Sequence, residues 1–197
     1  MVTQLEKTPL DKEIILRATE EAIRRFGPDK ANITDVAKSL HVSHAAIYRY
    51  FNGKSALWDA VTERWLAHMN ANLEKIMHEE VPADAKLYRL LVDFAEAKRR
   101  SAIHDPEMFA NYLKLAHGST EVIKRSIEEG IRRIEGIIVQ GISEGIFFAD
   151  SPHQAARAVY IATGAFINPN SFEDPNRRQD IESVIHLLIS GLKNPTP

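Results

Sequence analysis

The sequence predicts an all-α protein of about nine helices, with a small three-helix part at the N-terminus and a larger helical part behind it. Three observations carry this. Apolar residues recur at three- and four-residue spacings along most of the 197-residue chain. No sustained alternation of period two occurs, and the one hairpin-type dipeptide, Asn52-Gly53, is flanked by helical patterns. Glycine and proline fall mainly at the ends of the periodic segments. With 44% hydrophobic residues the chain can bury a proper core.

The first helix is expected over residues 10–26, with Ile14, Ile15, Ala18, Ala22 and Phe26 on one stripe and Gly27-Pro28 as its stop. Asn32 followed by Asp35 is close to a capping box, with Asp in place of Glu, and opens a short helix over 33–40. His41-Val42 makes a turn, and Ser43 caps a second short helix over 44–50. Asn52-Gly53 breaks that helix. A long one then runs over 54–79, nearly 40 Å at a rise of ~1.5 Å per residue, until Pro82. Five more helices are expected over 83–102, 105–117, 119–145, 152–167 and 176–192. Asp150-Ser151-Pro152 supplies a cap followed by proline in the first turn, and 168–175 reads as a loop. Glycines 130, 136, 141 and 145 fall within one predicted helix, where they allow a close approach or a bend.

Composition narrows the chemistry. The chain has no cysteine, which excludes disulfides, thiolate metal sites and cysteine nucleophiles and fits a cytoplasmic location. The first nine residues lack the apolar stretch of a secretory signal, and no apolar run long enough for a membrane span occurs. Net charge is −2, but residues 1–54 carry nine Lys/Arg against seven Asp/Glu, a small positive bias that permits a DNA-facing end. A di-iron helical bundle would need Glu-x-x-His pairs. Glu74 and Glu182 each have a histidine one residue too far on, at His78 and His186. No His-Glu-x-x-His and no phosphate-cradling glycine loop occurs, so no cofactor or metal is expected and no enzymatic activity is assigned.

The informative stretch is ITDVAKSLHVSHAAIYRYF, residues 33–51. It holds two short helices about a tight turn. Ala37 allows close approach, and Val36, Leu40, Val42 and Ile47 form the apolar wedge. His44, Ala45, Ala46, Tyr48, Arg49 and Tyr50 remain on the second helix. Short side chains let such a helix sit deep in a major groove, while hydroxyls and cations reach phosphates along its rim. Spacing alone equally suits an αα-corner in a helical enzyme or carrier. The residues go further. Ile33-Thr34, Val36-Ala37, Val42-Ser43, Ile47-Tyr48-Arg49-Tyr50-Phe51, Lys54 and Leu57 together resemble the DNA-binding domain of the tetracycline-repressor (TetR) family, over about 50 residues. One position departs from that pattern: His41 stands where the family usually has glycine, so a left-handed backbone or a reshaped turn is expected there.

The resemblance implies a ligand-responsive transcriptional regulator, usually a repressor, that binds double-stranded operator DNA as a homodimer. It implies a DNA-binding domain over 1–54 and an effector-binding and dimerisation domain over 55–197. Thr34 and Ser43 correspond to phosphate or groove contacts, a role compatible with helix capping. His44, Ala45 and Ala46 correspond to positions facing bases, and Tyr48 and Tyr50 to phosphate-binding hydroxyls. Lys54 stands at a helix start, where ammonium and helix dipole both favour a phosphate. Arg49 is either a further contact or a solvated cation. The last two helices are expected to form the dimer interface, since both are apolar on more than one narrow face. A small-molecule effector of unknown identity is implied as well. Its candidate liners are Trp65, Met69, Phe94, His104, Met108, Phe109 and Tyr112, a set that also suits plain core, and His117 is a weaker candidate.

Overall fold

The computed structural model describes residues 9–164 and 177–194. Among these, every regular element is an α-helix: α1 (Lys12–Lys30), α2 (Ile33–Ser39), α3 (His44–Tyr48), α4 (Gly53–Met69), α5 (Leu73–Met77), α6 (Ala83–His104), α7 (Pro106–Gly118), α8 (Thr120–Ser143), α9 (Pro152–Gly164) and α10 (Arg177–Lys193). The loop expected over 168–175 lies outside the described residues. The contacts divide the chain into two units, and the chain passes between them within α4, within α7 and at the start of α8. One unit takes residues up to Arg64 together with Ala110–Thr120. The other takes Trp65–Phe109 and the residues from Glu121 onward.

In the first unit the local chemistry sets the helix boundaries. Asp11 accepts from Ile14 N at 2.7 Å and caps α1. Gly27 interrupts α1 with φ 74° and ψ 160°, a conformation that glycine adopts without steric cost. The capping box at α2 is complete: Asp35 N donates to Asn32 Oδ1 at 3.0 Å, and Asn32 N donates to Asp35 Oδ2 at 3.2 Å. Ser43 Oγ accepts from Ala46 N at 3.2 Å and caps α3. The core of this unit holds Ile15, Ile23, Val36, Ile47, Leu57 and Val61, all fully buried. Arg64 of α4 ties down α1 by ion pairs to Glu13 at 2.8 Å and Glu20 at 3.3 Å, while burial pushes the Glu20 carboxyl above its ordinary value. Ser119 follows the second half of α7 and bonds Thr62 at 3.2 Å; Asn111 donates to Ile23 O at 3.4 Å.

The long helix expected over 54–79 is two helices. Ala71 N turns to His68 O and Leu73 N to Asn70 O, so the ladder breaks across Asn70-Ala71-Asn72. Asparagine is a weak helix former because its amide competes for local partners, and here Asn72 donates instead to Asp93 Oδ1 at 3.3 Å. Leu73 and Ile76 resume the apolar spacing, which hides the break in the sequence pattern.

In the second unit α6 packs against α5 and α10, and α9 against α10. Leu87, Ile137, Ile138, Phe147, Ala156 and Ile185 are among the fully buried residues of its core. Gly145, expected inside a helix, lies just past α8 with φ 70°. Gly145 N bonds Ile142 O and Ile146 N bonds Gly141 O, which is a Schellman cap. Glu144 beside it accepts from Ala83 N at 2.9 Å. It thereby caps α6, whose own N-cap residue, Pro82, offers no side-chain acceptor, and the bond holds the Glu144 carboxyl below its ordinary range. The buried Lys86 donates to Gln140 Oε1 at 2.9 Å and Met77 O at 3.4 Å, and Gln140 donates to Val81 O, so the α5–α6 junction is pinned to α8.

Candidate nucleic-acid interface

The presentation of α3 depends on the turn before it. His41 N donates to Lys38 O at 3.1 Å and Val42 N to Ala37 O at 3.0 Å, while His41 sits at φ 53°. This is a Schellman cap on α2 with a histidine in the left-handed position where glycine is usual. The resemblance-based expectation for His41 therefore holds, and the turn keeps its shape. A non-glycine residue there costs about 1–2 kcal/mol. His41→Gly is expected to stabilise the first unit by about 1 kcal/mol after the larger chain entropy of glycine is deducted. A melting temperature equal to or below that of the parent protein would contradict this.

After the turn, Ala46 and Ile47 point inward, with 8% and 0% of their surface exposed. His44, Ala45, Tyr48 and Arg49 are left on the outer face, all exposed. The face is preorganised. Thr34 Oγ1, at the start of α2, lies 3.1 Å from His44 Nε2, and the His44 and Tyr48 rings lie 5.4 Å apart, tilted by 55°. Thr34, His44 and Tyr48 thus form a connected row of polar tips, with the Tyr48 side chain open to solvent. Lys54 is exposed at the start of α4. Its ammonium lies 4.9 Å from the Trp58 ring centre and 3.5 Å from Asp29 O, and Trp58 is itself held by a bond to Pro28 O. The stem of Lys54 is therefore oriented while its charge stays in water.

Two expected contacts are placed differently. Ala46 is part of the α3 packing surface, because its position on the five-residue helix faces the core rather than outward. The half-buried Tyr50 donates its hydroxyl proton to Leu10 O, which fastens the chain ahead of α1 to the end of the helix pair. Nothing in the local sequence marks this, since the partner carbonyl is forty residues away.

The candidate effector residues separate into groups. Trp65, Met69, Met108 and Phe109 are buried, and the Trp65 and Phe109 rings meet edge-on at 6.1 Å. Met69 and the exposed His104 line a cleft of about 440 Å³ together with His68, Asn72, Asp93 and Arg100. Phe94 lies half-buried on another part of α6, beside Lys98 and Tyr160, neither of which the sequence singles out. Lys98 sits in the charged run Glu96-Ala-Lys-Arg-Arg100, which reads as a solvated face. Tyr112 falls in the first unit.

Comparison with known proteins agrees with this geometry. Residues 15–61 match the family described as bacterial regulatory proteins, tetR family. Residues 83–185, more than half the chain, match the tetracyclin repressor-like C-terminal domain. An HTH-type transcriptional repressor of Mycobacterium tuberculosis is 33% identical over 86 residues; the match spans 42% of this chain and 44% of that relative. An HTH-type regulator of Bacillus subtilis is 36% identical over 66 residues, 34% of each chain. In fold, the chain is similar to a TetR transcription regulator from Haloarcula marismortui, with TM-score 0.70 at 19% identity over 93% of this chain and 98% of the other. It is also similar to the regulator FadR of Bacillus subtilis, solved in complex with stearoyl-CoA, with TM-score 0.63 at 19% identity over 92% and 99%. The matched families and relatives are transcriptional regulators rather than enzymes. With a complete helix-turn-helix presenting an exposed polar row and both halves of the chain matched by family models, this protein belongs to the TetR family of DNA-binding transcriptional regulators.

Proposed function

We propose that the protein is a repressor that binds a palindromic operator as a homodimer and is released when a small-molecule effector occupies the second unit. The observation that carries the DNA-binding part is the exposed row Thr34–His44–Tyr48, with Lys54 nearby, on a helix pair whose turn and caps are fully bonded. His44 and Ala45 face base edges, His44 being the one with a strong hydrogen-bonding group. Thr34, Ser43, Tyr48 and Lys54 hold phosphates. The operator is expected to be an inverted repeat. Selection of bound genomic fragments followed by gel shift at low salt checks this; fragments without a shared inverted repeat would overturn it.

Dimerisation through α9 and α10 is supported by apolar side chains that the monomer leaves outside. Ile161 on α9 and Leu187 on α10 are 67% and 72% exposed. Isolated exposed apolar side chains are common, but two on the two expected interface helices favour self-association. Leu187→Glu is expected to yield monomers in sedimentation velocity at micromolar concentration, with the helical content retained. A Leu187→Glu protein that stays dimeric would refute the assigned interface.

The effector acts by population shift: it binds better to the arrangement whose reading heads do not match the half-site spacing. The chain's three passages between the units, in α4, in α7 and at the start of α8, are the covalent routes for that coupling. The reading is supported by the similarly folded FadR of Bacillus subtilis, which is solved in complex with stearoyl-CoA.

A further inference from the structure

The ammonium of Lys98 lies 4.3 Å from the centre of the Phe94 ring, one turn earlier on α6. Among the described residues no carboxylate, carbonyl or hydroxyl bonds to it. The carboxylates nearest in sequence serve its neighbours: Glu96 pairs with Arg99 at 3.1 Å, and Asp93 approaches Arg100 at 4.0 Å. Burial alone lowers the Lys98 pKa to about 8. The Phe94 ring also meets Tyr160 of α9, with 6.5 Å between ring centres. Tyr160 in turn packs onto Gly130 of α8, where an added Cβ would fall 2.6 Å from Tyr160 Cε2, so a glycine makes room for that ring. Burial raises the Tyr160 phenol above its ordinary value, and its hydroxyl has no hydrogen bond among the described residues. Two hydrogen-bond donors from two helices, an ammonium and a phenol, thus flank one aromatic ring without a hydrogen-bond partner among the described residues.

A partly desolvated cation without a counter-charge is unfavourable, and one cation–π contact offsets only part of that cost. Asp93 and Glu96 are near enough in the chain to have supplied a partner, yet Glu96 pairs with Arg99 and Asp93 accepts from Asn72. Among the described residues none supplies the counter-charge, and an acidic ligand would. We propose that Lys98, Phe94 and Tyr160 form the anion-binding end of the effector site, and that the effector is an amphipathic organic acid. Its acidic group accepts from Lys98 Nζ and the Tyr160 hydroxyl, and its apolar body lies against Phe94. This rests on the reading of the second unit as an effector-binding domain and adds the class of ligand to it.

The test uses a matched pair of fluorescent probes, anilinonaphthalene sulfonate and the neutral phenylnaphthylamine that lacks the sulfonate, titrated into the full-length protein. Lys98→Met is expected to weaken the sulfonate probe about tenfold or more while changing the neutral probe by less than about twofold. Lys98→Arg is expected to retain most of the sulfonate affinity, and Lys124→Met, at an exposed ion-paired lysine, to leave both probes unchanged. Because it removes an unpaired desolvated charge, Lys98→Met is also expected to raise the melting temperature, which separates a lost anion site from a damaged fold. The proposal is overturned if the wild-type protein does not bind the sulfonate probe, if Lys98→Met leaves that binding intact, or if both probes weaken together. A sulfonate that binds through Lys98 without changing operator affinity would uphold the anion site and remove the effector reading.

Discussion

Gly141→Ala is expected to lower stability by about 2 kcal/mol, although alanine is the better helix former by about 1 kcal/mol. Gly141 lies in the last turns of α8, and a Cβ built there would fall 2.1 Å from Phe147 Cδ2 and 2.7 Å from its Cγ. Phe147 cannot swing clear. It is 1% exposed, its backbone N–H bonds Gly141 O, and the next residue, Phe148, is bonded through its N–H to Leu192 O at 2.8 Å. The clash falls on ring atoms close to the Phe147 backbone rather than on the end of a flexible side chain, so the core must shift. Gly136→Ala in the same helix is the control. That position is exposed and its added Cβ would meet only Met77 Cε at 3.8 Å, an ordinary contact. It is expected to gain up to about 1 kcal/mol. Thermal unfolding followed by far-UV circular dichroism should place Gly141→Ala several degrees below the wild type and Gly136→Ala at or above it. The reverse order would show that the α8–Phe147 approach is not tight in solution.

The second large effect concerns operator binding. Lys54→Ala and Tyr48→Phe each remove one proposed phosphate contact, and in a dimer each removal counts twice. At about 1–1.5 kcal/mol per contact, each variant should lose about 2–3 kcal/mol, or roughly 30- to 150-fold in affinity. The two differ in salt dependence. Lys54→Ala removes two released counterions per dimer and should flatten the plot of log affinity against log salt by roughly 2, whereas Tyr48→Phe should leave its slope unchanged. Both side chains are exposed, so melting temperatures should stay close to that of the parent protein. Undiminished affinity in both variants would remove these residues from the interface.

Much of the first unit was legible before any coordinates, because its determinants are local. A capping box needs Asn32 and Asp35 three apart, and a serine cap needs only Ser43 and the N–H three residues on. His41 stands out because the family pattern usually has glycine there, and the turn it closes has bonds that span five residues at most. The same short range explains the helix limits in the second unit, most of which fall within a residue or two of the expected ones among the described residues. The break in the long helix has a cause outside its own segment. Asn70-Ala71-Asn72 breaks a helix whose apolar rhythm continues past it, and the competing partner, Asp93, is on a different helix.

Although the amino-acid order leaves His41 open between a left-handed backbone and a reshaped turn, the helical class, the caps and, through the Tyr-x-Tyr-Phe ending with Lys54, the family can be read from it. These depend on residues close together in the chain, whose bonding and steric preferences act before any tertiary contact exists. It takes the packing of distant segments to turn Ala46 inward, to bond the Tyr50 hydroxyl to Leu10, to set Phe147 against Gly141 and to bury Lys98 of a charged run enough to lower its pKa. Burial and hydrogen-bond partnership are set by which distant residues arrive alongside. A side chain's identity gives its capacity to bond or to repel, and the packing around it determines whether that capacity is used.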